Sequence, residues 1–144
     1  MLCIDDKKIE ITNQSFYVGK FTKYGDEGYN INFQLSFINL DSNENGYINL
    51  GAGFDKDNSI EGFLNKVYVG TPYDHSDNQF IYFEVYDTEN FWDTEIESKI
   101  EIRIEDIKDD RLEVSFEVND ELIKIKFDGY LCRNIDKTRE TFLN

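Results

Sequence analysis

Histidine, proline, alanine, methionine and tryptophan each occur once in the 144 residues, and cysteine occurs twice. With His75 as the only imidazole, a zinc site would have to lean on Cys3 and Cys132, which sit at opposite ends of the chain. Those cysteines are too few for a disulfide framework and too distant for a CxxC pair, and each lies in an apolar, strand-like stretch. The expectation is two reduced, buried thiols. No apolar run approaches the about 20 residues that a membrane-crossing helix needs. Residues 1–8 carry two aspartates where an export signal has a basic start and an apolar stretch, so the reading is a cytoplasmic protein. Bases are the scarcest charged group: 15 Lys and Arg against 30 Asp and Glu, a net charge of −15. Affinity for nucleic-acid phosphates and for anionic membranes comes from lysine and arginine. Both classes of partner are therefore disfavoured, while basic proteins and cations remain.

Apolar and aromatic residues are plentiful. They make up 40% and 15% of the chain, enough to offset the entropy of ordering a domain of this length. Their spacing is mostly two. Ile100, Ile102 and Ile104 alternate with Glu101, Arg103 and Glu105, and Leu112, Val114, Phe116 and Val118 alternate with Glu113, Ser115 and Glu117. Ile123, Ile125 and Phe127 alternate with Lys124 and Lys126. Period two means one buried face and one wet face. A loop around residues 108–110 sets Ile104 opposite Val114 and Ile102 opposite Phe116. A two-residue turn at Asn119-Asp120 sets Phe116 opposite Ile123 and Glu113 opposite Lys126. The result is a three-stranded meander over residues 99–128, followed by a short strand over 130–135.

The front half reads the same way. Residues 2–4 and 8–12 form a hairpin around Asp5-Asp6-Lys7, and residues 15–21 form a strand. Tyr29 to Phe37 alternate, and the parity flips after Phe37, which predicts a bulge or bend there. Asn45-Gly46 reads as a turn. Phe80 to Tyr86 is apolar on both faces except for Glu84, the mark of a covered central strand. Ile60, Phe63, Leu64 and Val67 have helical spacing, with Asn58 and Glu61 as an N-terminal capping pair. The predicted fold is mainly β: an antiparallel two-sheet sandwich or flattened barrel with one short α-helix near residues 58–67. Residues 1–135 read as a single domain and 136–144 as a polar tail prone to fray.

No stretch spells out a catalytic centre. Asp41, Asn43, Asn45 and Gly46 copy the first half of a calcium loop, but the twelfth position, which needs a bidentate glutamate, is Ala52. Asp55, Asp57, Ser59 and Glu61 are equally suited to starting a helix. Asp74-His75-Ser76-Asp77 lacks the nucleophile elbow of a hydrolase, and Gly51-Ala52-Gly53 lacks the lysine of a phosphate loop. The chain reads as a non-enzyme without cofactor or metal.

Residues 84–98 carry the strongest functional signal. Glu84, Asp87, Glu89, Asp93, Glu95 and Glu97 occur there without one lysine or arginine, around Phe91-Trp92. Neighbouring residues of an extended chain point opposite ways, so one of the two rings is a candidate for exposure. An aromatic anchor ringed by acids suits a basic protein surface: the ring fills a pocket and the charges steer encounter. The expected contact residues are Asp87, Glu89, Phe91, Trp92, Asp93 and Glu95, with Tyr73, Asp74 and Asp77 extending the patch.

In size, acidity, lack of a catalytic motif and this acidic-aromatic stretch, the chain resembles the small acidic immunity proteins of bacterial contact-dependent and other polymorphic toxin systems. Its abundance of Asn, Ile and Lys also reads as an AT-rich, bacterial coding sequence. The resemblance implies an antidote that binds a basic toxin domain, often a nuclease, and blocks its active site. Two further classes stay open: a carbohydrate-binding β-sandwich, rich in Tyr and Trp, and a calcium-assisted β-sandwich with binding or hydrolytic function.

Overall fold

The computed structural model describes residues 1–23, 25–39, 43–72, 81–87, 91–93, 98–134 and 140–143. Among them, eleven strands join in one hydrogen-bonded sheet that curls into a nearly closed barrel. They are β1 (Leu2–Ile4), β2 (Lys7–Lys23), β3 (Asp26–Asn39), β4 (Glu44–Asp55), β5 (Lys66–Gly70) and β6 (Ile81–Asp87). The series continues with β7 (Phe91–Asp93), β8 (Ile100–Lys108), β9 (Arg111–Asn119), β10 (Lys124–Arg133) and β11 (Glu140–Leu143). The spatial order is β5-β8-β9-β10-β1-β2-β3-β4-β6-β7. Neighbours on this path are antiparallel, whereas β10 and β11 each also run parallel to β2. The sheet is continuous, so the barrel is the form that holds.

Period-two patterning builds this shape directly. Every second residue faces inward, and rows of inward residues cross the strands. Phe16, Phe33, Leu50 and Phe83 stand in one such row, each at most 1% exposed. Fully burying a side chain of this kind is worth about 1.5–3 kcal/mol. Ile102, Ile104, Val114, Phe116, Ile125 and Phe127 fill the far wall in the same way. Two tight hairpins turn at Asp5-Asp6 and Asp109-Asp110, all four residues with positive φ. Such turns match the right-handed twist of the flanking strands, and aspartate tolerates the left-handed region better than most residues.

The β8–β9 register is the predicted one, with Ile104 opposite Val114 and Ile102 opposite Phe116. The β9–β10 register is not. Phe127 lies opposite Phe116 and Lys126 opposite Glu117, so Glu113 meets Tyr130 rather than Lys126. Parity survives because the slip is an even number of residues. The cause is a longer turn tied by Asp120, which is 8% exposed. Its carboxylate accepts the backbone N–H of Leu122 at 3.0 Å and of Ser98 at 3.1 Å, and its own N–H donates to the Ile123 carbonyl at 3.1 Å. From there β10 runs unbroken to Arg133, absorbing the separate strand expected after residue 129.

The predicted α-helix is a single 3-10 turn, Ile60–Phe63. Ile60 and Phe63 are buried, as their spacing suggested, but the helix cannot continue. Gly62 sits where an added Cβ would lie 2.2 Å from the Asp55 carboxylate, Asn65 adopts a positive φ of 57°, and Val67 already belongs to β5. Ser59 rather than Asn58 occupies the cap position, with no side-chain capping bond. Asn45-Gly46 lies inside β4, not in a turn. Gly46 is needed for close approach: a Cβ there would sit 2.4 Å from the Phe37 ring and 2.6 Å from the Tyr86 carbonyl oxygen. The expected bulge after Phe37 falls on the neighbouring strand instead, between Ile11 and Asn13 of β2. Cys3 and Cys132 are both free, but neither is buried as expected: Cys3 is half-buried, and Cys132 is exposed, with Leu131 taking the inward position beside it.

Candidate functional site

The strand β6 has neighbours on both sides, β4 and β7, yet only one of its faces is buried. Ile81, Phe83 and Val85 point into the barrel. Tyr82, Glu84 and Tyr86 occupy the outer face and are half-buried. The expectation of a strand covered on both faces fails because tyrosine counts as apolar in a hydropathy pattern although its hydroxyl suits an outer surface.

Register assembles these residues into a patch. One outward row runs Gln34–Asn49–Glu84, and the next runs Ser36–Tyr47–Tyr86. Tyr47 and Tyr86 are stacked, with ring centroids 5.4 Å apart and 17° between planes. The Tyr47 hydroxyl donates to Glu84 Oε1 at 2.7 Å, and the Tyr82 hydroxyl donates to Glu84 Oε2. One carboxylate is thus held from two sides by phenols. The Tyr47 phenol is pushed up from 10.0 to about 12, first by its hydrogen bond to Glu84, then by burial and the adjacent negative charge. It stays a donor across the physiological range. Beside this patch Asn30 and Asn32, both buried, bond to each other at 3.2 and 3.3 Å. Gly51 leaves room for them: a Cβ there would lie 2.9 Å from Asn32 Oδ1.

The electrostatics are one-sided. Strands β3, β4, β6 and β7 contain no lysine or arginine. Residues 25–98 hold half of the acids of the chain but only two of its bases, Lys56 and Lys66. Lys56 lies 3.9 Å from Asp26 and 5.1 Å from the centre of the Phe54 ring. Lys66 begins β5, which pairs with β8. In backbone register Glu84 stands opposite Asp93.

Of the contact residues expected from sequence, Asp87 ends β6 opposite Gly46. Phe91, Trp92 and Asp93 form β7 opposite Tyr86, Val85 and Glu84. The backbone therefore brings these residues alongside the tyrosine–glutamate patch. Tyr73, Asp74, Asp77, Glu89 and Glu95 lie outside the described residues, as do His75 and Asp41. Tyr47, Tyr82 and Tyr86 were missed as site residues. The signal was present as Tyr82-x-Glu84-x-Tyr86, a period-two triplet that puts all three on one face.

Two of the other motifs fall at least partly on described residues. Ala52, the twelfth position of the calcium-like loop, is wholly buried between Ile31 and Ile81. Asp55 Oδ1 accepts the Asp57 N–H at 2.9 Å, an arrangement that shapes the turn before the 3-10 helix. Among the described residues, no group of three or more His, Cys, Asp or Glu side chains is placed to hold a metal ion. No helix among them is long and apolar enough to cross a membrane.

No family model, no curated protein and no solved structure matches the chain. Its site has to be read from its own geometry.

Proposed function

We propose that the chain is a non-catalytic binding module that docks onto a basic protein through the outer face of β4, β6 and β7. The toxin-neutralising role implied by its resemblance to acidic immunity proteins is the form this takes: the acids occupy the lysines and arginines with which a toxin domain would grip its own substrate. One observation carries the reading. Glu84, half-buried, is held by two phenols, on strands β4 and β6 that contain no base. Tyrosine is the residue type that supplies contact area at low entropic cost, and a stacked pair gives a rigid anchor. The acids around it provide long-range attraction.

The test is kinetic. A basic protein recovered with the chain, then purified, should associate at a rate that falls as salt rises from 20 to 500 mM, roughly tenfold or more, since screening shortens to a few ångströms over that range. Neutralising Asp87, Glu89, Asp93 and Glu95 together should slow association at low salt by a similar factor. A rate indifferent both to salt and to these four substitutions would remove the reading. A glycan-binding role draws on the same stacked tyrosines, and saturable binding of neutral oligosaccharides without any basic protein partner would put it in first place.

A further inference from the structure

We infer that the Glu84 patch is a receptor for a guanidinium group, so that the residue it selects on the partner is arginine and not lysine. This rests on the docking reading above and specifies its chemistry. A carboxylate offers about four lone-pair sites, two on each oxygen. In Glu84 the Tyr47 hydroxyl uses one site on Oε1 and the Tyr82 hydroxyl one site on Oε2. One acceptor site therefore remains on each oxygen. That is the pattern a planar fork of two N–H groups requires, and the guanidinium supplies such a fork in a fixed geometry. An ammonium group is a point charge and gains nothing from having both oxygens prepared alike.

The surroundings suit the same guest. Tyr47, stacked on Tyr86, stands beside the carboxylate, and a guanidinium plane packs on a tyrosine face with both cation–π and dispersion attraction. The two phenols fix the carboxylate before the guest arrives, which lowers the ordering cost of binding. No base on β3, β4, β6 or β7 competes for Glu84. Lys20–Glu27 and Arg103–Glu101, by contrast, are acids already paired at 3.6 and 2.7 Å.

The experiment compares two neutral-backbone tripeptide amides, Gly-Arg-Gly and Gly-Lys-Gly, titrated into the full chain while the ring signals of Tyr47, Tyr82 and Tyr86 are followed by NMR. The arginine peptide should move these signals saturably, with an affinity about tenfold above that of the lysine peptide. Glu84→Gln, which keeps the shape of the side chain, should cut the arginine affinity about tenfold and abolish the preference. Glu117→Gln on β9, far along the strand order, should leave both unchanged. Equal affinities for the two peptides, or an arginine preference that survives Glu84→Gln, would overturn the inference while leaving the salt-dependent docking to stand or fall by its own test. If the preference depends on Glu84 but the fourfold neutral variant associates with its basic partner at an unchanged rate, the docking reading fails and the receptor for arginine remains.

Discussion

Two walls of one barrel can be compared strand for strand. The β8–β9–β10 wall and the β3–β4–β6 wall have the same interior: Ile102, Phe116 and Phe127 on one, Phe33, Leu50 and Phe83 on the other, all buried. Their outer faces differ. On β8–β10 charges of both signs alternate, with Lys126 opposite Glu117 and Arg103 bonded to Glu101. This face also holds acids in register with acids, Glu101 with Glu117 and Asp106 with Glu113, but bases stand among them. On β4 and β6 the outer residues are tyrosines, amides and one carboxylate, with no cation among them. The inward residues of both walls thus specify the same barrel, while among the described residues the outer face of β4 and β6 differs in holding its carboxylate with phenols and no base.

The sharpest way to break this comparison is to cut beneath each wall. Phe83→Ala and Phe116→Ala should each destabilise the protein by about 3–5 kcal/mol in chemical denaturation, because both leave a cavity among fully buried neighbours. A small loss at Phe83 alone would mean that the acidic wall is a loosely held cover. A smaller effect, about 1–3 kcal/mol, is expected for Gly46→Ala, whose Cβ would press on the Phe37 ring and on a backbone oxygen that cannot give way. The outer faces should matter still less to stability. Lys126→Gln should cost only a few tenths of a kcal/mol, the value of a cross-strand pair.

Titration sharpens the same contrast. Tyr47 and Tyr68 both ionise late, at about 12, but for different reasons: Tyr47 chiefly through its bond to Glu84, Tyr68 chiefly through burial and then through Asp55. Each folded value is raised above the unfolded 10.0. The stabilisation that goes with it is therefore complete below pH 10 and is lost as pH rises from there toward 12. In an ultraviolet titration, Glu84→Gln should return Tyr47 toward the ordinary range and leave Tyr68 where it is. A Tyr47 that still ionises as late as Tyr68 in this variant would show that its shift comes from burial and not from Glu84.

Much of the barrel could be read from alternation alone. The inward sets of β8, β9 and β10, the Asp5-Asp6 hairpin and the β8–β9 register follow from which residues are apolar and where turns are possible. What escaped depends on side-chain bonds that have no linear signature. The β9–β10 register was decided by Asp120 reaching both Ser98 and Leu122. The helix was cut short where Leu64 turns extended and Asn65 takes a positive φ. Parity gives an even slip no penalty, so hydropathy could not choose between the two β9–β10 pairings. For the site, Glu84, Asp87, Phe91, Trp92 and Asp93 were singled out as an acidic-aromatic run. Their neighbour Tyr47 lies far away in sequence and joins them only through the β4–β6 pairing.

The strand β2 pairs with β1, β3, β10 and β11. Its first partners follow within a hairpin's length, but Lys20 waits for Glu140 and Ser15 for Cys132, more than a hundred residues downstream. During synthesis, then, this strand emerges early with one flank unsatisfied until the last strands appear. Closure of such distant partners is slow compared with local hairpins. The cell must therefore keep a long, partly apolar ribbon from finding foreign strands in the interval, and the lysines at positions 7, 8, 20 and 23 of that ribbon are the kind of residue that discourages such pairing.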